Sequence, residues 1–164
     1  MKNQQSGDQE SSASTRGDAH FLDDHLAYLL ARASLLMAQP FHRQLIRSGL
    51  SVPIWRVLAC LSDRDGLTVT ELADLSLLKQ PTLTKVLDRM ERQNFVRRHV
   101  DEEDRRRVLV HLTIVGRKQA DQLLQQARGT ERNLYSVLDT ARLAGLKQDL
   151  RLMIDRMQKS PVRR

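Results

Sequence analysis

Apolar positions in this chain follow two periods, and the switch between them organises everything else. From Phe21 to about Arg47, Leu22, Leu26, Leu29, Leu30, Ala33, Leu36 and Met37 recur at helical spacing. Pro40, which lacks a backbone N–H, is expected to kink this helix or restart it before Phe41, Leu45 and Ile46. Gly49 ends the element. Ser51 suits an N-cap and Pro53 a first turn, and Ile54, Val57, Leu58 and Leu61 then mark a second helix that breaks at Asp63 to Gly66. Thr68 and Glu71 form a T-x-x-E capping box, announcing a short helix through Leu72, Ala73 and Leu75. After a turn at Ser76 to Lys79, Leu83, Val86, Leu87 and Met90 fall at i, i+3, i+4 and i+7. Two short helices joined by a tight turn make a helix-turn-helix candidate.

The period then drops to two. Phe95 to Val100 and Arg107 to Leu112 are rich in Val, Phe and Leu, and Val108, Val110 and Leu112 alternate with Leu109 and His111 as the faces of a strand do. A hairpin is expected, its loop Asp101 to Arg106 wholly charged. Thr113 is placed to cap a further helix with Ala120, Leu123, Leu124, Ala127, Leu134, Val137 and Leu138 along one stripe. A last helix, starting after Asp139 or Thr140, carries Leu143, Leu146, Leu150, Met153 and Met157. The fold expected is mainly α with a small β-hairpin wing: a winged helix-turn-helix (51–113) between an N-terminal helix (20–50) and C-terminal helices (114–158). Residues 1–19, poor in apolar side chains, read as a disordered tail, and residues 159–164 as a basic one.

Composition narrows the partners. With 164 residues and 40% hydrophobic ones, the chain has material for one core. No apolar run approaches the roughly 20 residues of a membrane span. Met1 to Ala19 has neither the apolar segment of a secretory signal nor the Arg-rich character of a transit peptide, so a soluble, cytoplasmic protein is expected. The net charge of +7 favours a polyanion, which by charge alone is nucleic acid or an anionic membrane. From Lys79 to Lys118, eleven Lys and Arg stand against six Asp and Glu, so most of the surplus lies beside the helix-turn-helix. The single cysteine, Cys60, allows no intrachain disulfide, and no Cys/His spacing suits zinc; no metal or cofactor is expected. No phosphate-binding glycine loop, H-E-x-x-H or G-x-S-x-G occurs, and His20, His25, His42, His99 and His111 form no catalytic pattern, which argues against an enzyme.

Within residues 79–93 the apolar stripe leaves Lys79, Gln80, Thr82, Thr84, Lys85 and Arg89 on other faces. Gln suits adenine, Thr a thymine methyl or a phosphate, and Lys or Arg guanine or phosphate. Taken alone, such a face serves equally well as a solvated surface. Arg105, Arg106 and Arg107 sit at or beside the tip of a ribbon thin enough for a minor groove, whose negative potential favours arginine. Asp101, Glu102, Glu103 and Asp104 partly cancel that charge. Asp104 is expected to structure the wing by gripping a guanidinium two residues on. Thr68 and Thr70, at the start of the preceding helix, complete the expected DNA-binding set.

At these positions the sequence resembles the multiple antibiotic resistance regulator (MarR) family. Asp104-Arg105-Arg106, Arg107 to His111 and Leu112-Thr113 match its D-x-R-x5-L-T wing signature, with Gly116 where L-T-x-x-G is common. Leu50 to Leu58 is similar to the start of that family's second helix. Glu102 replaces a frequent proline, and Asn94 stands where Gly often follows the recognition helix. The resemblance implies a homodimer joined through its N- and C-terminal helices, facing a pseudo-palindromic double-stranded DNA operator and repressing neighbouring genes until a small ligand releases it. The apolar stripes of the first and last two helices exceed what a winged domain can cover, which supports a dimer independently; the alternative is a monomer folding them onto itself.

In related regulators the first, second and fifth helices wall an effector pocket. His25, Tyr28 and Arg32 share one helix face here, and Trp55 and Arg56 lie off the main apolar face of the second helix. Together they would suit an aromatic acid, a phenolate or an acyl-CoA thioester; equally, Trp55 fills the core and the basic groups face solvent. Two further functions remain open: a thiol-based oxidant sensor using Cys60, and a helical adaptor with no DNA role.

Overall fold

The structure, a computed structural model, describes residues 21–132 and 137–159. Its elements are α1 (Phe21–Asp24), α2 (Leu26–Arg47), α3 (Val52–Asp63), β1 (Leu67–Thr68), α4 (Val69–Ser76), α5 (Gln80–Arg92), β2 (Val96–Val100), β3 (Val108–Leu112), α6 (Ile114–Arg132) and α7 (Thr140–Lys159). This is the mainly helical winged arrangement expected, with two differences in the first helix. The chain breaks at His25, and α2 continues through Pro40 without restarting. A proline removes one helical hydrogen bond, and the buried Phe41 and Leu45 on the far side hold the segment helical all the same. The tail expected at 1–19, residues 160–164 of the expected basic tail, and Leu134 lie outside the described residues, while Lys159 closes α7.

The chain divides between Leu36 and Met37 into two units. In the first, the Phe21 ring stacks on His25 with centroids 4.6 Å apart. Arg32 donates a 2.9 Å hydrogen bond to the Tyr28 hydroxyl and sits 6.0 Å from that ring's centroid. Leu22, Leu26, Leu29, Leu35 and Leu36 are exposed.

The second unit holds the core. Leu45, Ile54, Val57, Leu58, Leu61, Leu72, Leu83, Leu87, Met90 and Val110 are fully buried, so the apolar faces of α3, α4 and α5 share one core with the sheet. Losing such a side chain to Ala typically costs about 2–5 kcal/mol. At the end of α4, Leu75 is 54% exposed and Ser76 is buried, its hydroxyl donating to the Leu72 carbonyl. The strands form a sheet of order β1-β3-β2, all antiparallel, with Leu67 opposite Val110 and Val96 opposite Leu112. β1 was absent from the sequence reading. Of α7, among the described residues, only Leu143 is buried, while Leu146, Leu152, Ile154 and Met157 are exposed. No single described helix is long and apolar enough to cross a membrane.

Candidate nucleic-acid interface

Three local devices fix the helix-turn-helix. Thr68 caps α4: its Oγ1 accepts from the Glu71 N–H at 3.3 Å, while the Glu71 carboxylate accepts from the Thr68 N–H at 2.9 Å and hydroxyl at 2.7 Å. The Thr68 side-chain and backbone donors, with help from Arg64 and Arg107, hold the Glu71 carboxyl below its ordinary value. Leu77 then ends α4 in the left-handed region, φ +56°, with its N–H returning to Ala73 and Asp74 carbonyls. Gln80 Nε2 donates to Thr70 Oγ1 at 3.2 Å, joining the first turns of α4 and α5. Thr68, expected among the DNA-contacting residues, is half-buried and spends its hydroxyl on the cap. Ser51 stands at the N-cap of α3, but its hydroxyl makes no capping bond.

On α5 the expected row is exposed. Lys79 is the N-cap residue, Pro81 lies in the first turn, and Gln80, Thr82, Thr84, Lys85 and Arg89 all face outward while Leu83, Leu87 and Met90 are buried. Thr70 is exposed as well. Thr84 returns its hydroxyl proton to the Gln80 carbonyl at 3.0 Å, which leaves its lone pairs and methyl outward. Asn94 ends the helix region at φ +57°, the left-handed conformation glycine normally supplies, which Asn tolerates better than most residues.

The wing is built differently from expectation. Asp104 Oδ1 accepts from the backbone N–H of Arg106 at 3.1 Å, not from a guanidinium. An acceptor two residues before an N–H closes an Asx turn, a shorter path than reaching a side-chain fork. Asp101 does the same for the N–H of Glu103 at 3.0 Å. The guanidinium that is held belongs to Arg107, 3.7 Å from the Asp101 carboxylate. Arg107 N–H donates to the Asp104 carbonyl and Asp101 N–H to the Arg107 carbonyl, closing the loop. Arg105 and Arg106 are exposed at its tip.

Two charged clusters escaped the sequence reading because their members are distant in the chain. Arg98 of β2 reaches Asp88 at 2.6 Å and Glu91 at 3.4 Å, both on α5. Asp65, in the loop before β1, accepts from the Leu112 N–H at 2.9 Å and lies 3.5 Å from His111 Nδ1 and 3.8 Å from Arg117. Arg117 also donates to Ser62. At the start of α6, Thr113 Oγ1 accepts from the Gly116 N–H at 3.0 Å, the expected cap, and donates to the Asn94 carbonyl at 2.5 Å.

Against protein-family models, residues 50–108 match the MarR family. The chain is 39% identical to a MarR family transcriptional regulator of known structure from Silicibacter pomeroyi, covering 82% of this chain and 98% of that one with a TM-score of 0.72. The chain belongs to the MarR family. It is also similar to the HTH-type transcriptional regulator TtmR of Methylorubrum extorquens, 33% identical over 106 residues, which are 65% of this chain and 54% of that protein. Little more than half of that relative is therefore spanned. A third similar protein is Bordetella bronchiseptica BpsR, whose DNA binding is regulated by 6-hydroxynicotinic acid: 26% identity, 85% of this chain, 99% of that one, TM-score 0.73. The relatives are transcription regulators and not enzymes.

The expected effector residues lie in both units. His25, Tyr28 and Arg32 belong to the first; Trp55, in the second, packs edge-on against Phe41 at 4.9 Å and Arg56 is half-buried beside it in sequence. Trp55 is partly buried and packs against the core. An open groove of about 620 Å³ runs along α6, lined by Leu112, Ile114, Arg117, Lys118, Asp121 and Gln122 among others. Cys60 is half-buried; desolvation, and then the Asp63 charge, push its thiol up.

Proposed function

We propose that this chain is a dimeric regulator that binds a pseudo-palindromic operator in double-stranded DNA, represses neighbouring genes and is released by a small anionic or aromatic effector. The observation that carries the DNA reading is the exposure of Gln80, Thr82, Thr84, Lys85 and Arg89 on a helix whose opposite face is fully buried, beside a wing that leaves Arg105 and Arg106 outward. In this reading α5 enters the major groove and the wing an adjacent minor groove. Lys79 and Thr70 contact phosphate, and Arg107 supports the loop more than it contacts DNA.

The dimer is supported by the apolar side chains that a single copy leaves exposed on α2 and α7, which together exceed what monomers normally show. The effector reading is supported by BpsR, a similar protein answering to a hydroxylated aromatic acid, and by the paired Tyr28 and Arg32, whose hydroxyl and guanidinium suit a carboxylate or phenolate. Cys60, with a thiol pushed up by burial, fits packing better than oxidant sensing.

The deciding experiment is a mobility-shift titration against the DNA upstream of the chain's own gene. Binding should weaken steeply with salt and protect a roughly palindromic site of about 20 base pairs. No retardation at low salt would remove the DNA reading, and a monomer by sedimentation at binding concentrations would remove the dimer. Calorimetry against aromatic acids and CoA esters, with no heat from any, would remove the effector class.

A further inference from the structure

We infer that Arg98 is a positioning residue that locks the wing to the recognition helix, so that the two read DNA as one rigid body. This rests on the proposed DNA-binding function and says how that site is held. Arg98 lies in the middle of β2, its side chain 29% exposed, and touches α5 at four points. Its Nη2 meets Asp88 Oδ1 at 2.6 Å and the Thr84 carbonyl at 3.4 Å, its Nη1 meets Glu91 Oε2 at 3.4 Å, and its own N–H donates to Glu91 Oε1 at 3.2 Å. Residues 84, 88 and 91 follow at i, i+4 and i+7 and so stack along one side of the helix. A planar fork spanning two turns resists rotation of the strand about the helix far better than a single contact.

β3 is held on its other side by β1 and by the Asp65 bond to the Leu112 N–H, so the ties of β2 to α5 are what set the hairpin against the recognition helix. The hydrogen bonds of the loop 101–107 described above run within it, through Asp101, Asp104 and Arg107. Swinging the hairpin would carry Arg105 and Arg106 away from a groove whose position α5 fixes. The clamp also offsets part of the charge of Asp88 and Glu91, two carboxylates on a helix that is to approach phosphates.

A double-mutant cycle with Arg98→Ala and Arg106→Ala, read on the upstream DNA at several salt concentrations, tests this. If Arg98 acts through the wing, each single change should weaken binding about tenfold and lower the salt slope alike, and the pair should lose little more than Arg106→Ala alone. Losses that multiply to about a hundredfold, or an Arg98→Ala protein with unchanged affinity and slope, would overturn it. Arg98→Lys, which keeps the charge but not the fork, should fall between wild type and Arg98→Ala; full wild-type behaviour would reduce Arg98 to a charge.

Amide exchange without DNA keeps the two readings separable. Arg98→Ala should speed exchange across residues 96–112 and leave α3 and α4 protected, whereas an unchanged wing would refute the clamp whether or not the chain binds DNA. Wild-type protein that fails to bind the DNA while showing this exchange pattern would overturn the proposed function alone.

Discussion

Gly116 lies so close to Phe95 that a Cβ there would stand 1.9 Å from the Phe95 carbonyl oxygen. The same carbonyl accepts from the Thr113 N–H at 3.0 Å, so the first turn of α6 rests directly on the chain leaving the recognition helix. Gly116→Ala therefore forces backbone apart, not a flexible side chain. Equilibrium urea unfolding should show a loss of about 3 kcal/mol or more, at the upper end of overpacking changes. Gly129→Ala, where a Cβ meets nothing within 4 Å, is the control and should be neutral or slightly stabilising.

Leu77 adopts a left-handed backbone with its side chain 76% exposed, so it bears a conformational cost with little burial in return. Leu77→Gly should raise stability by up to about 1 kcal/mol, seen as a higher melting temperature. Affinity for DNA should not change. A lower melting temperature would mean that the leucine is covered in the assembled protein.

Glu71 gives the helix-turn-helix a pH dependence of known sign. Its folded-state carboxyl titrates below its ordinary value, first through the Thr68 hydroxyl and then through the Thr68 N–H. The stability it contributes is present above the unfolded-state value and is lost as pH falls through the folded one. Wild type should thus exceed Glu71→Gln in stability at neutral pH, with the gap closing in acid. Thr68→Ala removes the cap from the other side and should cost about 1 kcal/mol.

Cys60 should be a slow thiol. Desolvation and Asp63 raise its pKa, which lowers the thiolate fraction near neutrality and with it the rate of attack on a disulfide reagent. The native protein should react well below the rate of the unfolded chain, and peroxide should leave DNA binding as it was. Release of DNA by peroxide from wild type but not from Cys60→Ser would restore the oxidant-sensing reading.

Elements marked by local rules were legible in the sequence, because each rule acts over a few residues. The Thr68–Glu71 box, the Thr113 cap and the inward face of α5, with Leu83, Leu87 and Met90 buried and Val86 half-buried, were of this kind. Asn94 looked like a departure from the family pattern, yet its left-handed backbone does what glycine does elsewhere. What escaped depends on distance or on competition between forces. A two-residue strand such as β1 has no period to detect, and Arg98 with Asp88, or Asp65 with Leu112 and Arg117, meet only after folding. Pro40 does not restart the helix, because Phe41 and Leu45 are buried on its far side. Asp104 was assigned the right task by the wrong route, since its oxygen found a backbone donor before any guanidinium.

The self-closed wing loop has a kinetic consequence. From Asp101 to Arg107 it carries four carboxylates and three guanidinium groups, so from beyond a screening length of about 8 Å it is close to neutral. Such a loop draws the protein toward DNA hardly at all. Its arginines act only after encounter, when Arg105 and Arg106 are within reach of a groove. The wing should therefore set how long the complex lasts, leaving the speed of its formation to the cations of α5 and the rest of the basic surface.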